Sequence, residues 1–246
     1  MENHAGYMEG AGLMVFLSVF FVLIIAGYPL WDHFYMKKVN AGTVKKSRMY
    51  VEIMLVQWIA LLVVWAYWLI IGRDFHIWFV FDQPIVDFGP SFWIPFCLGV
   101  IIVIGMIVGL SLFSKKRNTY KKSHPIQTGE IEFLFPSSPT ERLLFFFVAV
   151  TAGICEEIIF RGVFYFYLSN LPFSLTVWEI GIISSTLFGL VHLYQGWKGV
   201  LATAYVGAVL YAIFTITGYL WPAIVFHILL DVKLIFLPGK KEEQRA

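Results

Sequence analysis

The chain has 246 residues, of which 59% are hydrophobic and only 14% charged, with a formal net charge of +2 and a mean hydropathy of +0.76. Soluble domains sit near half apolar and a quarter charged, so this composition excludes a soluble globular protein and specifies an integral membrane protein. Its two cysteines, Cys97 and Cys155, lie in apolar runs without a CxxC pair, so neither a disulfide framework nor a thiolate metal site is implied.

Met1 to Gly10 contains no Lys or Arg and so lacks the basic n-region of a signal peptide. Ala11 to about Trp31 is therefore expected to remain in the mature protein as a first transmembrane helix. The segment from His33 to Tyr50 holds Lys37, Lys38, Lys45, Lys46 and Arg48, and Val51 to Ile71 reads as the second span with Glu52 at its lip. Gly72 to Ser91 sets Arg73 against Asp74, Asp82 and Asp87, and its aromatics suggest an interfacial hairpin. Phe92 to Phe113 is the third span, with Pro95 in its first turn, where proline is tolerated.

The loop from Ser114 to Arg142 carries six Lys and Arg residues and ends in Ser137–Glu141, whose Ser, Pro and Thr suit a helix start. Leu143 to Leu168 is the fourth span, closed by the Asn-Leu-Pro turn at 170–172. Ser174 to Tyr194, Gly199 to about Gly218 and Tyr219 to Leu237 follow as the fifth, sixth and seventh spans, before a charged tail. The fold class expected is an all-α, polytopic transmembrane bundle of about seven spans. It divides into a three-span region (1–141), a helical core (142–237) and a charged tail (238–246). Seven spans put the two basic loops and the tail on one side, so the positive-inside rule places the C-terminus in the cytoplasm and the N-terminus outside. The expected location is a bacterial-type cell membrane. No phosphate loop, nucleic-acid motif, heptad array or repeat occurs; the bilayer is an expected partner and nucleic acid is not.

Ionisable groups at membrane depth are costly and each marks a functional site by default. The fourth span carries Glu156, Glu157 and Arg161 within Thr151–Leu168, an otherwise apolar run. Arg161 follows Glu157 by four residues, on the same helical face and in the favourable order for a charge pair. Glu156 is rotated away from that pair, has no partner in its own helix, and is the first candidate for a general base. Cys155, beside it, is read as a small packing residue. The fifth span holds Phe188 and His192, and the seventh holds His227 and Asp231, one turn apart on one face. The other four histidines (His4, His33, His76, His124) fall in loops or tails. Buried polar groups pair with one another or line a wet cavity, so spans four, five and seven are expected to meet with these residues inward. Ser184, Ser185, Thr186 and Gly189 would allow a close helix approach. Counted from its span's start, His192 lies nearer the cytoplasmic face than Glu156. Either the fifth span starts late, near Val177, or the fourth tilts and begins in the interface; the second, which opens the site toward the cytoplasm, is the reading preferred.

Glu-Glu-x-x-x-Arg at 156–161, Phe-x-x-x-His at 188–192 and His-x-x-x-Asp at 227–231 resemble the three motifs of the CPBP, or Abi, family. That family comprises CAAX-processing and bacteriocin-processing intramembrane proteases, the Ras-converting-enzyme type among them. The resemblance covers roughly Arg142 to Leu237. It implies peptide-bond hydrolysis of a peptide or membrane-protein substrate, without a cofactor. Glu156 and His192 would activate a water, His227 and Asp231 would form the oxyanion site, and Glu157, Arg161 and Phe188 would support them. Many members carry Asn where this chain has Asp231, and an ionised Asp accepts but cannot donate. Two histidines and a glutamate also match the ligand set of catalytic zinc sites, so Glu156, His192 and His227 around zinc are the alternative. Two readings from other classes are a proton-coupled transporter and a non-catalytic scaffold or immunity protein. The first would show internal repeats, which are absent; the second would keep its activity after Glu156 or His192 is replaced.

Overall fold

The computed structural model describes residues 2–81 and 134–236, and among these the secondary structure is helical apart from a single β-bridge. The expected third span, part of the hairpin before it, most of the basic loop and the charged tail lie outside the described residues. Among the described residues, four helical stretches are long and apolar enough to cross a membrane: Gly10–Val39, Lys46–Ile70, Pro139–Ser169 and Leu193–Thr217.

The first stretch joins α1 (Glu2–Val22) to α2 (Tyr28–Asn40) through a π turn at Leu23–Gly27. Pro29, in the first turn of α2, has no N–H to return to the turn before it, and a widened turn is one way to absorb that loss. The helix therefore continues past Trp31 to Asn40, so much of the expected basic loop is helical and only the short 41–45 connection separates it from α3 (Lys46–Ile70). After α3, a 3₁₀ turn at Phe75–Trp78 leads into backbone pairing with the start of the last helix: the Phe81 N–H donates to Gly218 O, and the Leu220 N–H to Phe79 O.

The fourth span starts as its capping residues require. Ser138 is the N-cap of α4 (Pro139–Glu157), its hydroxyl accepting from the Glu141 N–H, while the Glu141 carboxylate accepts from the Ser137 N–H and hydroxyl. The helix passes through a π turn at Ile158–Val163 into α5 (Phe164–Ser169). The next helix, α6 (Val177–Leu190), begins at a capping box between Thr176 and Glu179 and is only 14 residues long. The fifth span thus starts and stops inside its expected limits, at Val177 and Leu190. A 3₁₀ turn (Leu193–Gln195) leads to α7 (Gly196–Thr217), and α8 (Leu220–Val232) follows with 13 residues. The short α6 and α8 are held by neighbours rather than by length.

Those contacts need glycine. A Cβ on Gly189 would lie 2.6 Å from Val200 O and 2.8 Å from Ala204 Cβ, so α6 and α7 approach to backbone contact there. On α4, a Cβ at Gly153 would fall on the Ile228 side chain and 3.1 Å from the Ile228 amide nitrogen of α8. Gly153→Val is expected to destabilise the protein by about 1–3 kcal/mol through overpacking, read as a lower Tm in detergent. Leu17, Val64, Trp68, Phe160, Val163 and Phe214 form the buried centre, and side chains such as Leu201 and Tyr205 point outward.

Candidate active site

Glu156 and Glu157 occupy the last turn of α4 and face different ways. Glu157 is wholly buried; its Oε1 accepts from Arg161 Nη1 at 2.8 Å and from His227 Nδ1 at 2.8 Å. Arg161, also wholly buried, lies in the π turn and donates through Nη2 to Gly207 O at 2.9 Å. Its guanidinium stacks on the Phe188 ring, 4.3 Å from the centroid. The expected i, i+4 pair is thus present, and it reaches two further helices.

Phe188 links the remaining parts. Its ring meets Arg161 on one side and presents to His227 at 6.0 Å and 83°. Its carbonyl would be an orphan at the end of α6, because the His192 N–H turns to Gly189 O instead. The His192 side chain takes that carbonyl: Nδ1 lies 2.7 Å from Phe188 O. A carbonyl only accepts, so Nδ1 carries the hydrogen and Nε2 faces inward with its lone pair in the neutral ring. His192 therefore sits in the turn after α6 rather than within a helix, and the helix before it begins at Val177, the late start that was the other way to reconcile its depth with that of Glu156. His227 likewise commits Nδ1, to Glu157, and turns Nε2 inward, and the buried Glu157 carboxylate can balance a second proton on that ring.

Glu156 meets both rings. Its Oε2 lies 3.9 Å from His192 Nε2 and 3.9 Å from His227 Nε2, too far for a direct hydrogen bond and suited to one bridging water. That oxygen is buried without a protein hydrogen bond, whereas Oε1 accepts from Gln57 Nε2 of α3 at 2.7 Å. Asp231 Oδ2 stands 3.7 Å from His227 Nε2 and is the most exposed of the four, at 31% of its side chain. All four residues, with Gln57, border a hollow of about 420 Å³ whose other walls are mostly apolar, among them Ile53, Val56, Phe145 and Val148. Glu156, His192, His227 and Asp231 thus share one cavity, while Glu157 and Arg161 stand behind them. Cys155 is buried and outside that wall. Gln57 escaped the sequence reading; its signal was a lone amide side chain in the middle of the second span.

Zinc held at about 2.0–2.1 Å in a tetrahedron needs ligand atoms roughly 3.3 Å apart. The Glu156 oxygen stands wider than that from both rings, and among the described residues no group of three or more His, Cys, Asp or Glu is arranged to hold a metal ion. As placed, these side chains do not fit the zinc alternative.

Residues 138–232 match the family model described as Type II CAAX prenyl endopeptidase Rce1-like. All three motifs lie inside that segment, and the resemblance to the CAAX-processing proteases is shown over it. No curated protein and no solved structure matches the chain.

Proposed function

We propose that this chain is an intramembrane endopeptidase that hydrolyses peptide bonds in membrane-associated or CAAX-like substrates, using a water activated by Glu156 and His192 and no metal. One observation carries the reading: a buried carboxylate oxygen equidistant, at 3.9 Å, from two imidazole nitrogens whose opposite nitrogens are already committed. A water between them donates one hydrogen to Glu156 Oε2 and the other to His192 Nε2, which aims an oxygen lone pair at a carbonyl carbon. The water proton passes to Glu156 as the C–O bond forms. The carbonyl oxygen becomes an oxyanion beside His227, which donates from Nε2 while Glu157 balances the imidazolium charge at Nδ1. When the C–N bond breaks, the proton on Glu156 moves to the leaving amine.

The apolar walls of the hollow suit a lipid-attached or transmembrane peptide. We place the protein in a multi-pass topology with the two basic loops on the cytoplasmic side, which the Lys and Arg bias supports. Purified protein in vesicles, given a fluorogenic prenylated peptide ending in a CAAX sequence, should cleave it; a comparison of peptides from cells with and without the chain widens the search beyond that sequence. Asp231 helps through its charge beside His227 rather than by donating to substrate. Asp231→Asn removes that charge and adds an amide donor in its place, two changes that oppose each other, so the variant is expected to retain cleavage, read as turnover of the same peptide.

A further inference from the structure

We infer that Gln57, on α3 and outside the family-matched segment, is a positioning residue that holds the Glu156 carboxylate so that Oε2 alone faces the two histidines. The inference rests on the protease reading for its kinetic consequence, and on geometry alone for the contact itself. A carboxylate only accepts, so the bond to Oε1 must come from the Gln57 amide nitrogen. That bond occupies one oxygen and fixes the plane of the carboxylate, leaving the other as the acceptor 3.9 Å from both Nε2 atoms. The next residue pins the register between the helices, with Trp58 Nε1 donating to Thr151 Oγ1 of α4 at 3.3 Å. Further along the pair, Tyr50 packs edge-on to Phe145 at 5.6 Å. Gln57 also has a cost that packing does not explain. Its own carbonyl oxygen is buried without a hydrogen bond, a penalty that leucine or methionine at 57 would avoid. An amide at this position is accounted for by what it does to Glu156.

Gln57→Met keeps length and apolar fit and removes the donor. With the prenylated CAAX-ended peptide as probe, kcat should fall about 10- to 100-fold while KM stays within about twofold, because orientation of the base changes and substrate binding does not. Thermal unfolding of Gln57→Met, Glu156→Leu and the double variant supplies the second arm, which needs no substrate. Gln57→Met should lower Tm by about 3 °C in the parent and leave it unchanged or raised once Glu156 is leucine, where the amide has lost its acceptor. Additive Tm shifts would overturn the contact. Coupled Tm shifts with an unchanged kcat would overturn the positioning role. A wild-type protein that leaves the peptide uncut while the Tm shifts remain coupled would count against the protease reading and sustain the contact.

Discussion

Glu156→Gln is expected to reduce peptide cleavage by about 10²- to 10⁴-fold, the range that loss of a general base produces. The substitution preserves shape and can still accept from Gln57, so the hydrogen bond to α3 survives. What disappears is the capacity of the second oxygen to take a proton from water. An amide presented to the imidazoles cannot do so at any ordinary pH. The fold should tolerate the change, because the orphaned carboxylate oxygen contributes nothing to packing and its charge is costly to bury. The measurement is turnover of the prenylated peptide by wild type and variant at matched protein and matched Tm. Unchanged turnover would remove Glu156 from the mechanism.

The largest loss of stability is expected at Arg161. Arg161→Met removes the donor to Glu157, the donor to Gly207 O and the stacking on Phe188 together. Glu157 is then a fully buried carboxylate with only His227 beside it. Breaking a buried pair from one side costs about 3–5 kcal/mol, because the remaining charge is uncompensated. The double variant Glu157→Gln, Arg161→Met should recover much of that loss, since a neutral pair no longer buries a charge. Denaturation of the three proteins in detergent decides the matter; a double variant no more stable than Arg161→Met would show that the pair's charge is not what the helices depend on. The single variant should also lose turnover, because Glu157 holds the Nδ1 of His227 as well.

The parts of this site that a sequence can carry are those set by one helix. Glu157 and Arg161 lie four residues apart and make their pair, and His227 and Asp231 likewise share a face. The start of α4 follows from Ser138, Pro139 and Glu141, which are local capping chemistry. Helical period says nothing about where a helix ends, and so His192 seemed to lie within a span when it occupies the turn beyond one. The limits of α6 and α8 fall inside the expected spans for the same reason: apolar residues continue past the last hydrogen-bonded turn and conceal it. The π turn at Ile158–Val163 sets Gly162 against Trp78, where a Cβ would lie 2.8 Å from Trp78 O, and no local pattern announces a contact with a segment so far off in the chain. Gln57 has no motif around it, and only the meeting of α3 with α4 gives its amide a partner.

Single-turnover cleavage in water enriched in ¹⁸O, with enzyme in excess over the prenylated peptide and with or without a chelator, tests the direct attack of water most closely. The site described here predicts one solvent-derived ¹⁸O in the new carboxylate in the first turnover, at the same rate under both conditions. A first-turnover product whose new oxygen comes from the enzyme, or a reaction stopped by the chelator and restored by zinc, would contradict it.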